Sequence, residues 1–129
     1  VGKAQQGIGV GDVELVAEPN ATLSVELAQS LADAVGRTLN SPPGQTWVRM
    51  RVLAREHYAE NESLLESTDL PVFVTVLKRA LPERAALIVE IAALTNSIAK
   101  ATGRNPASVH IEYAPAAAER LSFGGRLVE

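Results

Sequence analysis

The apolar residues of this chain follow the period of a β-strand in four places. One run, at residues 71–77, is strongly apolar, residues 12–17 form a short strand-like stretch, and two further segments alternate between apolar and polar residues. Both patterns are typical of strands. The predicted strands are residues 12–17, 46–53, 71–77 and 109–113.

Between these strands the apolar residues follow the period of a helix. In the first helix they recur every fourth position, at Leu23, Leu27, Leu31, Val35 and Leu39. This spacing predicts an amphipathic helix. The second helix is predicted from Pro82 to Thr102, because proline suits a first helical turn and Gly103 suits a C-cap. Its inward residues are predicted to be Leu87, Ile88, Ile91, Leu94, Thr95 and Ile98.

The order of these elements predicts an α+β fold made of two βαβ repeats. A polar loop at residues 54–69 separates the repeats, and a short hairpin turned by Gly124-Gly125 closes the chain. Two such units can form a four-stranded sheet with both helices on one face. We therefore expect one domain over residues 1–129, with repeat halves at about 12–54 and 71–128.

The two halves correspond to one another in sequence. Val35-Gly-Arg at the end of the first helix matches Ile98-Ala-Lys at the end of the second. In the strands that follow, residues 48–51 are matched with residues 109–112, each after a turn that contains proline. We therefore interpret the chain as an internal duplication.

The third strand indicates assembly. Val72, Val74 and Val76 point to one face, whereas Phe73, Thr75 and Leu77 point to the other, so that both faces should be buried. Two helices cover only one face of a four-stranded sheet. We therefore expect a homo-oligomer with its sheets turned inward; the alternative is an ordinary central strand in a sheet covered by helices.

Composition excludes several classes of protein. The net charge is -3, whereas a nucleic-acid-binding domain normally shows a basic stripe. The chain has no cysteine, which excludes disulfides and thiolate chemistry and fits a reducing cytoplasm. No apolar run approaches the length expected of a membrane span. We expect a cytoplasmic protein that binds neither nucleic acid nor membrane.

The sequence predicts no metal and no cofactor. His57 and His110 are far apart and form no metal-binding spacing. The glycines of GIGVG at residues 7–11 come before a strand rather than between a strand and a helix, and their spacing differs from the dinucleotide fingerprint. His110, which lies on a predicted strand, has a structural role as its simplest interpretation.

Three arginines are candidate ligands for a small carboxylate. Arg49 and Arg51 share one face of the second strand, about 7 Å apart, a separation that suits a clamp on a carboxylate. Equally, Arg51 can pair with Glu112 across an interface. Arg79 directly follows the third strand and precedes a helix, where anions are favoured; a solvated basic loop is the alternative.

The segments NPASVHIEY and AERLSFGGRLV, together with the doubled βαβ layout, resemble the tautomerase superfamily, which includes 4-oxalocrotonate tautomerase and macrophage migration inhibitory factor. The resemblance covers residues of about 12 to 128. It implies a homotrimer and a small keto or enol carboxylate as ligand. It also implies that Arg49 and Arg79 bind that ligand, with His57, Tyr58 and Phe123 in or near the pocket.

Enzymes of this family use an amino-terminal proline as the general base or acid, and this chain has none at the matching position. The resemblance puts that proline at about Gly9 or Val10, whereas the corresponding position of the second unit holds Pro71, whose nitrogen is an amide without basicity. The sequence therefore predicts a tautomerase-like isomerase that works without the proline, with His57, Tyr58 or His110 as proton carriers. The alternatives are a catalytically silent protein that binds a small anion, and a structural or partner subunit.

Overall fold

The computed structural model describes residues 9–129, which form a four-stranded sheet, two long helices and a C-terminal hairpin. The sheet strands are β1 (Gly9–Ala17), β2 (Thr46–Ala54), β3 (Val72–Lys78) and β4 (Val109–Tyr113). The helices are α1 (Leu27–Thr38) and α2 (Arg84–Thr102). The hairpin consists of β5 (Ser122–Phe123) and β6 (Arg126–Leu127). The predicted α+β class and the closing hairpin are confirmed.

The sheet has the strand order β2-β1-β3-β4. β1 runs parallel to β2, and β3 runs parallel to β4, as a βαβ crossover requires. β1 and β3 are antiparallel and join the two units at the centre of the sheet. The head of β1 and the head of β3 therefore lie at opposite ends of the sheet.

Both helices pack on one face of the sheet, where they enclose the core. Val13 and Leu15 of β1 and the three valines of β3 face α1 and α2. The helices contribute Leu27, Leu31, Val35, Leu94, Ile98 and Ala99 to this core. The predicted inward position of Ile88 was wrong, since this side chain is 56% exposed. Because an α-helix turns by about 100° per residue, Ile88 lies roughly 80° around the helix axis from the buried Ile98, which accounts for its exposure.

The two units repeat with one constant offset along the chain. Gly9 pairs with Thr46 in the first unit, and Val72 pairs with Val109 in the second. The number of positions from Gly9 to Val72 equals the number from Thr46 to Val109, and this number is the offset. We call two positions that this offset relates equivalent. Asn40 and Gly103, which follow the two helices, are equivalent, and both have left-handed backbone, with φ of 53° and 68°.

The same offset corrects two expectations from the sequence. Residues 48–51 correspond in the structure to residues 111–114 rather than to 109–112, because the register counts from Thr46 and Val109. Pro71 corresponds to position 8, which lies outside the described residues, and not to Gly9 or Val10, because Gly9 corresponds to Val72. The predicted loop at residues 54–69 also has internal structure. A bridge between Glu60 and Ser63 is equivalent to the pairing of Phe123 with Arg126 in the closing hairpin.

One helix in the described part of the chain, Arg84–Thr102, is long and apolar enough to cross a membrane by length and composition alone. The expectation that no stretch comes near this limit was therefore wrong. Such a helix is weak evidence of a span, because the core helix of a globular domain meets the same criteria. Here α2 packs on the sheet through Leu94, Ile98 and Ala99, and Gly103 is the C-cap residue that the sequence predicts.

Candidate functional site

The head of β1 is enclosed on both sides by neighbouring strands. Gly9 lies between Thr46 of β2 and Lys78 of β3. A Cβ atom added at Gly9 would lie 2.7 Å from Cδ1 of Leu39, so that only glycine fits without a shift of this leucine. The Gly9 N–H donates a hydrogen bond of 3.2 Å to the carbonyl of Gln45. This nitrogen is an amide, and it offers no basic lone pair to a substrate.

Two buried polar atoms without a partner belong to residues next to this position in the sheet. Within residues 9–129, Thr46 Oγ1 and Arg79 Nε are the buried side-chain polar atoms for which no hydrogen bond is found. Thr46 begins β2 beside Gly9, and Arg79 follows Lys78 on the other side. A buried donor left unsatisfied costs about 1–3 kcal/mol. A ligand with an acceptor oxygen placed here would recover part of that cost.

The closing hairpin folds over the same end of the sheet. The Arg79 carbonyl accepts a hydrogen bond of 3.0 Å from Ala118 N, just before the hairpin. Phe123 of β5 meets the ring of Trp47 edge to face, with ring centroids 4.7 Å apart. The head of β1 therefore has aromatic side chains and an arginine in the neighbouring segments.

A partly buried polar cluster lies under the same end of the sheet, against α2. Lys78 Nζ donates to Glu90 Oε1 at 2.7 Å, and the Tyr113 hydroxyl donates to Glu90 Oε2 at 2.5 Å. The side chains of Lys78 and Glu90 are 17% and 15% exposed. Burial, followed by the bond to Glu90 and its charge, raises the pKa of Tyr113 well above its ordinary range, so that the phenol stays protonated at physiological pH.

Sequence reasoning missed this cluster, although one signal was available. Glu90 is the single charged residue between Arg84 and Lys100, and its immediate neighbours in sequence are apolar. Comparison of the two units shows that the three polar residues stand where the first unit has apolar ones. The equivalent positions of the first unit hold Leu15, Leu27 and Met50, which are buried in or packed against the core. The second unit therefore places three polar side chains where the first has apolar ones, and the fold does not require them.

The predicted arginine pair lies on the sheet face that the helices leave uncovered. Arg49 forms a bidentate ion pair with Asp12, with bonds of 2.9 and 3.2 Å from Nε and Nη2. The hydrogen bond and the charge of Asp12 raise the pKa of Arg49. Arg51 lies opposite Glu14 in the register of β1 and β2. Each arginine of the pair therefore faces a carboxylate of its own chain.

The predicted proton carriers gather at the other end of the sheet. The rings of Tyr58 and His110 lie on two sides of Phe73, with centroids 5.7 and 5.5 Å from it. His57 is exposed, in a short 3-10 helix after β2. Arg79 follows Phe73 by six positions, which is about 20 Å along a strand. Within one protomer, the structure does not bring Arg79 together with Tyr58 or His110.

No group of three or more histidine, cysteine, aspartate or glutamate side chains within residues 9–129 is arranged to hold a metal ion.

Comparison with known proteins agrees with this fold. No protein-family model matches the sequence, and no curated protein matches it. Several solved structures do match this chain in fold. A fused 4-OT symmetric trimer shares 16% identity at a TM-score of 0.72, over 92% of this chain and 94% of that one. Macrophage migration inhibitory factor from Oncomelania hupensis shares 16% identity at 0.69, over 93% and 97%.

A third solved structure, FG41 malonate semialdehyde decarboxylase inhibited by 3-bromopropiolate, shares 22% identity at a TM-score of 0.66, over 89% of this chain and 88% of that one. These three structures belong to the tautomerase superfamily. At such identities the likeness establishes the fold. The chain therefore has the tautomerase-superfamily fold that its motifs predict.

The repeat provides a test of the polar cluster. We expect Glu90→Leu to lower the free energy of unfolding by about 2–3 kcal/mol, because Lys78 then loses its partner in a poorly solvated position. The triple variant K78L/E90L/Y113M restores the residue types of the first unit and should be close to wild type in stability. Urea unfolding monitored by circular dichroism measures both. A triple variant less stable than Glu90→Leu would contradict the equivalence of the two units.

Proposed function

We propose that the protein is a tautomerase-like isomerase that binds a small keto or enol carboxylate at the head of β1 and acts on it without a proline amine. The observation that carries this proposal is the pair of unpartnered buried atoms, Thr46 Oγ1 beside Gly9 and Nε of Arg79, the residue that follows Lys78, the register partner of Gly9. Both atoms can donate to an oxygen, as a carboxylate or an enolate would need. The tautomerase-superfamily fold supports the choice of ligand class.

In this proposal Arg79 is the anchor for the carboxylate. Arg49 and Arg51 are less suited to this role, because each already faces Asp12 or Glu14. A guanidinium-to-carboxylate bond is charge-assisted and gains strength where water is excluded. The aromatic rings of Trp47 and Phe123 supply an apolar wall close to this end of the sheet.

Proton transfer in this proposal relies on side chains, since the Gly9 nitrogen is a hydrogen-bonded amide. Among the ionisable groups described, Lys78 is the register partner of Gly9. The raised pKa of Tyr113 makes its phenol a proton donor rather than a base. Glu90 already accepts from both Lys78 and Tyr113, so that it is a poor base as long as those bonds persist.

The engagement of Glu90 by Lys78 and Tyr113 favours a second candidate function, the binding of a small anion without turnover. Both oxygens of Glu90 are engaged, and Tyr58 and His110 lie at the far end of the sheet. A protein with this arrangement can keep a carboxylate pocket and lack an efficient base. Turnover and ligand-dependent stability separate the two functions.

Ketonisation of phenylenolpyruvate or 2-hydroxymuconate tests the isomerase. We expect a rate above buffer in the wild type and a loss of about tenfold to a hundredfold in Arg79→Ala, because one charge-assisted bond is removed. The matched control is Arg84→Ala, which removes an exposed arginine at the start of α2. If the wild type shows no rate above buffer, or if both variants behave alike, the isomerase proposal fails.

Thermal stability then decides the second function. A carboxylate ligand at about 100 times its Kd should stabilise the wild type by roughly 2.7 kcal/mol. Arg79→Ala should lose most of this stabilisation, whereas Arg84→Ala should keep it. Stabilisation that is the same in both variants would remove Arg79 from the binding site.

We also propose that the protein forms a homo-oligomer, most simply a trimer, through the two edges of its sheet. Within the described residues, β2 and β4 each have a strand neighbour on one side only. The β2 edge carries exposed Arg49 and Arg51, and the β4 edge carries exposed His110 and Glu112. Two strands separate these edges, about 14 Å in one protomer, so that Arg51 can reach Glu112 only of a neighbouring copy.

Light scattering after size exclusion tests this assembly. We expect three times the mass of one chain, with Arg51→Glu and Glu112→Arg each weakening the oligomer through repulsion between like charges at the interface. The double variant R51E/E112R should recover it, whereas Arg84→Glu should change nothing. A wild-type protein that remains monomeric at micromolar concentration contradicts the proposed assembly.

A further inference from the structure

A cleft of 390 Å³ lies at the head of β3, at the end of the sheet opposite to Gly9. It opens between the end of β1, at Glu18 and Pro19, and the segment 55–65 that follows β2. Leu70, which directly precedes Pro71 and β3, lines its base. The volume falls within the range of sites for small organic molecules.

The repeat shows that the polar lining of this cleft is not dictated by the fold. Pro19 in the lining is equivalent to Pro82, so that this proline is common to both units. Three polar lining positions differ in kind between the units. Arg55, Tyr58 and Glu60 are equivalent to Ala118, Leu121 and Phe123 in the second unit. At these three positions the same supersecondary frame therefore carries polar side chains in the first unit and apolar ones in the second.

Arg55 is not available to an anionic ligand. Its Nη1 donates to Glu18, and its Nη2 donates to the carbonyl of Leu65. Ser67 Oγ donates to the same Glu18 carboxylate at 2.9 Å. The bond from Arg55, followed by that from Ser67, lowers the pKa of Glu18, which therefore remains an anion paired with the guanidinium. This pair ties the segment 55–65 to the end of β1 and cancels its own charge.

The charges that remain in the cleft are negative and lie beside an aromatic ring. Tyr58 Oη donates to Glu60 Oε2 at 2.7 Å, which fixes this carboxylate next to the tyrosine ring. Glu56 adds a second, exposed carboxylate to the lining. The apolar wall consists of Leu65 and of Leu64, whose side chain is 98% exposed. A carboxylate, an aromatic face and an apolar wall together suit an organic cation.

We propose that this cleft is a second ligand site, which binds a small organic ammonium ion with its charged group on Glu60 and its alkyl chain against Tyr58 and Leu65. The site is independent of the head of β1 and has the opposite charge preference. The two units thus present an anchor for anions at one end of the sheet and an anchor for cations at the other.

Two-dimensional ¹H–¹⁵N NMR titration of the full chain with n-butylammonium at pH 7 tests this site, with butyrate and n-butanol as probes of the same chain length. We expect shifts from butylammonium at residues 55–65, Glu18 and Leu70, and little from the other two probes. Glu60→Gln should weaken binding about tenfold, because a charge-assisted contact becomes neutral. The matched control Glu62→Gln removes the same charge next to the cleft and should bind as the wild type does.

Tyr58→Phe should also weaken binding, because Glu60 loses the hydroxyl that orients it. Each variant's amide spectrum reports whether the fold is intact, so that a loss of binding can be assigned to the site. Equal shifts from butyrate and butylammonium would overturn the proposal, as would equal affinities in Glu60→Gln and Glu62→Gln. Butylammonium shifts confined to the uncovered sheet face around Glu14 would overturn it as well.

Discussion

The antiparallel contact between β1 and β3 determines the rest of this structure. Asp12 pairs with Thr75, which is its own equivalent in the second unit, so that a pseudo-twofold axis passes through this pair. Because of that symmetry, each unit presents its head at the opposite end of the sheet and sends its helix to the same face. The two heads therefore have the same supersecondary structure and lie at opposite ends of the sheet.

The two units differ in where they place polar side chains. The first unit fills its helix-to-sheet contact with Leu15, Leu27 and Met50, whereas the second fills it with Lys78, Glu90 and Tyr113. At the sheet ends three positions show the reverse pattern, because Arg55, Tyr58 and Glu60 of the first unit line the cleft. Their equivalents around the closing hairpin are Ala118, Leu121 and Phe123. We interpret this distribution as functional, since polar groups of this kind add little stability over apolar ones.

Much of the fold could be predicted from the sequence, because periodicity and turn chemistry act locally. The alternation in β2 and β4, Gly103 and the Gly-Gly hairpin all have local signatures. The bridge between Glu60 and Ser63 was missed, because Glu62 takes the left-handed backbone that a glycine takes at Gly125. The Lys78–Glu90–Tyr113 cluster and the Arg49–Asp12 pair join residues that are distant in sequence, and no local pattern indicates which charges will meet.

We infer that the head of β1 binds a carboxylate through Arg79, although its strand begins with an amide rather than an amine. A crystal structure of the protein grown with phenylpyruvate tests this inference. We predict that the ligand's carboxylate lies about 3 Å from Arg79 Nε, with an oxygen within reach of Thr46 Oγ1. A carboxylate bound instead at Arg49 and Arg51 on the uncovered sheet face would rule out Arg79 as the anchor.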